Sequence, residues 1–265
     1  MSESNLVKIK DITPEQLATI CDHTFVFPSP YYLNECKKNN TSSVQVRAEK
    51  FREFLVDIIE NPERLPYALC VLPEDVEVTA EYIHQHNFPQ IKIASVVGFP
   101  DGSLYAPELK LMETSYAVTF GANEIDMVLN YKKFKEREID YVMHDINLVT
   151  NVAHKKGALV KLILETCELT PEEIKAACGL ANQTEVDFVK TSTGFGAYGA
   201  RTEDVEIMRK YFAKGVKISG GVKPHNVHEL LHAASGRDDG YIELNPNKIR
   251  IGESSLLEGL AKSNY

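Results

Sequence analysis

Apolar positions alternate between two rhythms along most of this chain. Short, nearly continuous apolar runs fall at 67–72, 91–98, 124–129, 158–164, 186–190, 216–219 and 249–252. Between them lie amphipathic stretches of helical period, near 75–86, 107–119, 136–154, 171–182, 203–213 and 226–235. A run that is apolar on both faces is a strand covered on both sides, which implies a parallel sheet. Start and stop signals reinforce the rhythm. Thr13-Pro14-Glu15-Gln16 and Thr170-Pro171-Glu172-Glu173 each offer an N-cap, a first-turn proline and a capping-box partner. Gly121, Gly157 and Gly215 each stand where a left-handed residue would close a helix before the next strand.

The N-terminal part is less regular. Residues 11–19 read as a short helix, and the apolar segment 18–22 runs into Asp22-His23-Thr24 as a further strand. Residues 27–43 read as an irregular excursion, and helical spacing returns over 44–59. The segment at 18–22 brings the strands to eight, most of them followed by a helix. That pattern predicts one domain spanning 1–265, a (β/α)8 TIM barrel with an N-terminal helical extension. An open doubly wound sheet is the runner-up, but no G-x-G-x-x-G follows the first strand.

Composition narrows the partners. The chain has 265 residues, 43% of them hydrophobic, and a net charge of −9, so a nucleic-acid groove is not expected. No stretch approaches the length of apolar chain a membrane span needs, and the first ten residues lack the apolar core of a signal peptide; a cytoplasmic protein without a membrane partner is expected. Cys21, Cys36, Cys70, Cys167 and Cys178 are odd in number and form no C-x-x-C pair. The histidines show no ligand spacing, so neither a metal nor a disulfide framework is expected.

The chemistry of a barrel of this kind sits at the C-terminal ends of its strands. The first strand ends in Asp22, the fourth carries Asp126, and the fifth carries Lys161 and finishes at Glu165. The sixth ends in Lys190, followed by Thr191 and a hydroxyl- and glycine-rich loop; the seventh carries Lys217. Any one of these could be half of a structural ion pair. Three strand lysines sharing an interior with two strand aspartates point instead to an electrostatic site. Lys190 and Lys217 come from adjacent strands, and a neighbouring cation disfavours protonation of an amine. A neutral lysine amine attacks a carbonyl to give an iminium, an electron sink for the adjacent carbon–carbon bond, and Asp126 would move the protons. This chemistry needs neither metal nor cofactor.

The loops after the last three strands read Thr193-Gly194-Phe195-Gly196, Ser219-Gly220-Gly221 and Gly252-Glu253-Ser254-Ser255. Tight turns need glycine anyway. Three such loops in succession also match the usual phosphate site of these barrels, with Ser254-Ser255 opening a helix toward the anion.

These residues resemble the class I 2-deoxyribose-5-phosphate aldolase family. The likeness is carried by Ile-Cys-Asp-His-Thr at 20–24, Ala-Ser-Val-Val-Gly-Phe-Pro at 94–100 and Gly-Ala-Asn-Glu-Ile-Asp-Met-Val at 121–128. It continues through Val-Lys-Leu-Ile-Leu-Glu-Thr at 160–166, Asp-Phe-Val-Lys-Thr-Ser-Thr-Gly-Phe-Gly at 187–196, Val-Lys-Ile-Ser-Gly-Gly-Val at 216–222 and Ile-Gly-Glu-Ser-Ser at 251–255. The resemblance implies that Lys190 is the Schiff-base lysine, Lys217 its perturbing neighbour and Asp126 the proton relay. It implies pocket roles for Asp22, Lys161, Glu165 and Thr191, and phosphate contacts from Gly194, Gly220, Gly221, Gly252, Ser254 and Ser255. Tyr265 matches a C-terminal tyrosine that some members use as a mobile proton carrier. The implied reaction is reversible cleavage of 2-deoxy-D-ribose 5-phosphate into acetaldehyde and D-glyceraldehyde 3-phosphate, in deoxyribonucleotide catabolism. The implied partners are a small phosphorylated sugar and acetaldehyde, with a homodimer allowed. Lys223 departs from the pattern, replacing an arginine and its bidentate fork, and Phe195 stands where some members carry a lysine. A barrel retained only as a binding scaffold is the competing reading.

Overall fold

A computed structural model describes residues 6–39 and 41–263. Eight parallel strands close into a barrel: β2 (Cys21–Phe25), β3 (Ala68–Val71), β4 (Lys92–Val97), β5 (Glu124–Val128), β6 (Leu159–Ile163), β7 (Phe188–Lys190), β8 (Gly215–Ser219) and β10 (Ile249–Glu253), with β10 pairing β2 to complete the ring. Two further strands, β1 (Leu6–Lys8) and β9 (Tyr241–Glu243), form a separate antiparallel pair that sequence periodicity did not signal. Each precedes a barrel strand, so the pair sits on the side away from the strands' C-terminal ends. Helices fill the intervals where amphipathic period predicted them, among them Pro107–Thr119, Ile139–Lys155 and Pro171–Ala181.

The expected caps form where the sequence put them. Thr13 and Thr170 close reciprocal capping boxes at the start of Pro14–Ala18 and Pro171–Ala181, and Ser42, which the sequence had not singled out, closes a third at the start of Ser43–Glu60. Gly121 and Gly157 adopt positive φ after their helices. Gly215 does not. It is the first residue of β8, where a Cβ would lie 2.3 Å from the ring of Phe188, so its glycine makes room for an aromatic ring rather than ending a helix. The first barrel strand is also shifted: Ala18 ends a helix, and Asp22 is the second residue of β2 rather than its last. The excursion over 27–43 is more ordered than its composition suggested, with a 3-10 turn at Ser29–Tyr32 and a helix at Leu33–Asn39.

The apolar interior divides in two. The larger cluster lies between strands and helices and includes Ile125, Met127, Val160, Leu162, Val189, Val216 and Ile251. A smaller one, Val26, Cys70, Ala94 and Val96, is separate from it. These members of β3 and β4 share the strand parity that points into the barrel, and on β5 to β8 and β10 the same parity carries charge.

Two glycines test this packing in opposite directions. Gly215→Ala should destabilise the fold by about 1–3 kcal/mol, because Phe188 cannot move aside in a filled interior. Gly179→Ala, in helical backbone with open space around it, should stabilise by about 0.4–1 kcal/mol. Urea unfolding midpoints of both variants check the pair.

Candidate active site

Alternation along each strand decides which side chains enter the barrel, and it sends an unusual set inward. β5 contributes Glu124 and Asp126, β6 Lys161, β7 Lys190, β8 Lys217, β10 Arg250 and β2 Asp22; all are buried. Register brings them together, since Asp126 is level with Lys161, Lys190 with Lys217, and Lys217 with Arg250.

Asp126 is the hub. Its Oδ2 accepts hydrogen bonds from Lys190 Nζ at 2.8 Å and Lys217 Nζ at 2.7 Å, and its Oδ1 accepts from Lys161 Nζ at 2.6 Å. The Lys190 and Lys217 nitrogens thus share one oxygen and lie no farther apart than the sum of those two distances. Lys217 also donates to Asp22 Oδ2 at 2.5 Å, and Lys161 to Glu124 Oε2 at 2.5 Å. Arg250 closes the lower layer, with Nη1 3.0 Å from Asp22 Oδ1 and Nη2 on the Glu124 carboxylate.

The protonation pattern follows from this wiring. Burial works against the Asp126 carboxylate, yet Lys161, Lys190 and Lys217 together hold its carboxyl well below the usual range. Burial likewise opposes charge on Asp22, and Arg250, Lys217 and Lys161 bring its carboxyl down to about 2. Burial disfavours the ammonium of Lys217, but Asp126 and Asp22 outweigh it and raise its pKa. Lys217 is therefore a fixed cation beside Lys190.

The predicted residues divide between two levels. Lys190 lines a cavity of about 150 Å3, together with Thr193, Gly194, Phe195, Gly220, Gly221, Gly252 and Ser254. Asp22 and Lys161 are fully buried among the charges below, and neither lines that cavity. Thr191 is also fully buried; its hydroxyl donates to Ser219 O and accepts from Ser219 N, tying β7 to β8. Glu165, in left-handed backbone, accepts from the backbone N–H and hydroxyl of Thr193, so it shapes the loop after β7. Burial pushes its carboxyl up against those bonds.

Gly194, Gly220 and Gly221 adopt positive φ. The loops after β7 and β8 touch backbone to backbone, because a Cβ on Gly199 would lie 2.1 Å from Gly220 O. Gly252 differs from the other predicted loop glycines. It belongs to β10, and a Cβ there would meet Ser219 Cβ at 2.9 Å and Lys217 Cε at 3.2 Å, so its glycine leaves space for the Ser219 side chain and, beside it, for the Lys217 stem. Lys223 Nζ donates to Ser255 Oγ at 2.9 Å, drawing the loops after β8 and β10 together. Tyr265 lies outside the described residues. Among the described residues, no group of three or more His, Cys, Asp or Glu side chains could hold a metal ion, and no helix is long and apolar enough to cross a membrane.

This geometry agrees with comparisons to known proteins. The family model for DeoC/LacD family aldolases matches residues 44–256. The chain belongs to that family. Deoxyribose-phosphate aldolase of Thermococcus kodakarensis is 45% identical over 174 residues, covering 64% of this chain and 77% of the relative. That of Clostridium perfringens is 37% identical over 211 residues, covering 79% and 84%. The fold matches the tetrameric deoxyribose phosphate aldolase of Aeropyrum pernix with a TM-score of 0.70 at 22% identity, over 95% of this chain and 92% of that one.

Sequence reasoning missed three contributors to this aldolase site. Glu124 and Arg250 occupy inward positions two residues from Asp126 and Gly252, and the signal was available: a charge inside an apolar run at the parity of one already noted. The third is aromatic. Phe27 and Phe99 pack on Phe195 at the cavity wall, with ring centroids 5.6 and 5.3 Å away, and Tyr31 stacks on Phe27 at 4.5 Å. Arg47 fixes this segment through a 2.9 Å bond from Nε to Phe27 O and a paired contact with Asp75.

Gly252→Ala should reduce turnover about tenfold to a hundredfold by displacing the Lys217 stem, while the fold persists. Steady-state kinetics beside thermal melts check this; unchanged turnover would show that Lys217 tolerates the shift.

Proposed function

We propose that this aldolase reversibly cleaves 2-deoxy-D-ribose 5-phosphate to acetaldehyde and D-glyceraldehyde 3-phosphate through a Schiff base on Lys190. The observation that carries the proposal is the contact between Lys190 and the carboxylate that also holds Lys217. The names of the relatives point to the same substrate. A barrel kept only as a scaffold would have no use for these buried charges, each costly to retain in an apolar fold.

Lys190 is the natural nucleophile because it alone among the three lysines lines the cavity. Its neutral amine attacks the C1 aldehyde of the open-chain sugar; loss of water leaves an iminium. A proton leaves the C3 hydroxyl, the C2–C3 bond breaks, and its electron pair passes into the iminium to form an enamine. D-Glyceraldehyde 3-phosphate departs. Protonation of the enamine at C2 and hydrolysis then release acetaldehyde and restore the amine. Asp126, 2.8 Å from the nitrogen, stabilises the positive charge that the iminium carries and, through a water, takes the C3 hydroxyl proton and returns a proton to C2 of the enamine.

The phosphate end of the substrate is assigned to the positive-φ loops at Gly194, Gly220 and Gly221 and to the turn at Ser254-Ser255. Backbone N–H groups and Lys223 are the donors available there. Lys223 supplies a point charge rather than a fork, so it positions the anion less rigidly than arginine would. In this reading the reaction serves deoxyribonucleotide catabolism in the cytoplasm, and a homodimer is compatible with it.

Borohydride reduction with acetaldehyde, followed by peptide mass mapping, should place an N-ethyl group on Lys190; folded protein without it would overturn the mechanism. Lys190→Ala should retain less than about a hundredth of wild-type turnover. Lys217→Leu should move activity to higher pH or abolish it, because the fixed cation beside the amine is gone; an unchanged pH profile would remove Lys217 from this role.

A further inference from the structure

The charged layer beneath Asp126 holds two groups that the proposed mechanism leaves unused. Arg250 and Glu124 are buried and in contact with one another, on the side of the network away from the cavity. They connect to Lys190 by two routes of direct contacts. One runs from Arg250 through Asp22 and Lys217 to Asp126, the other from Glu124 through Lys161 to Asp126. Both end on the carboxylate that Lys190 touches.

The ionisable groups facing Lys190 come from every neighbouring strand. They are Asp22 on β2, Cys70 on β3, Glu124 and Asp126 on β5, Lys161 on β6 with Glu165 just beyond it, Lys217 on β8 and Arg250 on β10; Lys223 and Glu253 line the cavity beside Lys190 and are bonded to Ser255 and His23. Cys70 Sγ lies 3.9 Å from Asp126 Oδ2, and burial pushes its thiol up, so it remains neutral. Glu165 is turned to Thr193. The ions in direct contact with one another are four cations, Lys161, Lys190, Lys217 and Arg250, and three anions, Asp22, Glu124 and Asp126. This contact network carries one positive charge too many when every one is ionised. Lys190 is the cation that opens on the cavity, and it has one carboxylate partner where each of the other three has two or more. It is the least compensated of the four cations.

We infer that Arg250 and Glu124 are positioning residues that set the charge surplus of the barrel interior, and so set the pH above which Lys190 is a free amine. Neither touches the substrate. Arg250 adds the fourth positive charge, and Glu124 limits the surplus to one. The inference rests on the Schiff-base reading and adds opposite signs for two neighbouring residues. Removing the Arg250 charge leaves three cations and three anions, which favours keeping the Lys190 proton. Removing the Glu124 charge raises the surplus, which favours losing it.

The test reads the amine directly. Each variant is incubated with acetaldehyde and cyanoborohydride over a pH series, and N-ethylation of the Lys190 peptide is quantified by mass spectrometry. The amine attacks the aldehyde carbon, water leaves, and cyanoborohydride delivers hydride to the iminium carbon. Relative to wild type, Arg250→Met should move the onset of labelling to higher pH and Glu124→Gln to lower pH, each by about half to one unit. Arg250→Lys, which keeps the charge, should restore the wild-type onset. A merely structural role would lower labelling in both variants without moving the onset in opposite directions. An unmoved onset in folded Glu124→Gln, or shifts of the same sign in both variants, overturns the inference. Glu124→Gln preserves side-chain shape and decides the matter alone if Arg250→Met does not fold. Absence of labelling in wild type at every pH would instead overturn the Schiff-base reading, so the two failures are distinct.

Discussion

Three lysine side chains converge on the carboxylate of Asp126, and most of what is distinctive in this barrel is arranged around that contact. A lone carboxylate in such surroundings would take up a proton, and a lone ammonium would lose one. Asp126, Lys161 and Lys217 together remain ionised, each supplying the charge that makes burial of the other tolerable. An ion network of this kind adds little net stability compared with apolar packing of equal volume. What it provides is position and electrostatic potential. Lys217 is held by two carboxylates, Lys161 by Glu124 and Asp126, and the amine of Lys190 is left with a single shared oxygen at the floor of the cavity. The asymmetry among three chemically identical side chains therefore comes from strand register.

The rest of the barrel makes room for that layer. Val26, Cys70, Ala94 and Val96 form an apolar cluster on one side, and the charges come from β5 to β8, β10 and β2. Gly252 leaves the volume that the Lys217 stem occupies, and Gly215 leaves the volume of the Phe188 ring on the strand that ends in Lys190. Thr191 joins β7 to β8 immediately after Lys190, through two hydrogen bonds to Ser219. That cross-link holds the end of β7 where Lys190 leaves it. Another buried pair, Lys110 with Asp145, lies outside the barrel between helices Pro107–Thr119 and Ile139–Lys155, with the lysine also donating to Val128 O at the end of β5. It ties the strand that bears Asp126 to its flanking helices.

Much of this was legible in the sequence because parallel strands speak clearly. Lys161, Lys190, Lys217 and Asp126 stand out as charges within apolar runs, and the number of runs gives the barrel. Glu124 and Arg250 carried the same signal but sit one position from the start of their strands or at the start itself, where a charge looks like an ordinary strand edge. Asp22 was seen but put at the end of its strand. Its apolar approach belongs partly to the helix Pro14–Ala18, and only pairing with Ala68 and Gly252 fixes its height in the barrel. The aromatic wall of Phe27, Tyr31, Phe99 and Phe195 was not legible at all, since it joins three separated stretches of chain and no local period reports such a contact. The Lys110–Asp145 pair was hidden for a related reason: amphipathic spacing locates a helix face but does not say that a charge on it is buried.

The departures from the family pattern fall on one level of the site. Phe195 and Lys223 belong to the loops above the cavity, while the charged layer below holds every group the proposed iminium chemistry uses. The two levels answer to different constraints. In the lower one, each residue is held by ions on neighbouring strands, so replacing one leaves a buried partner without its counter-charge, typically at a cost of several kcal/mol. In the upper one, Phe195 is 38% exposed and Lys223 reaches across solvent to Ser255, so substitution there disturbs only the walls that a substrate meets. The segment at 27–39 strengthens the division, because Arg47 anchors it independently of the barrel interior and its aromatic rings meet Phe195 from outside. Changes in the loops can therefore accumulate without altering the surroundings of the Lys190 amine.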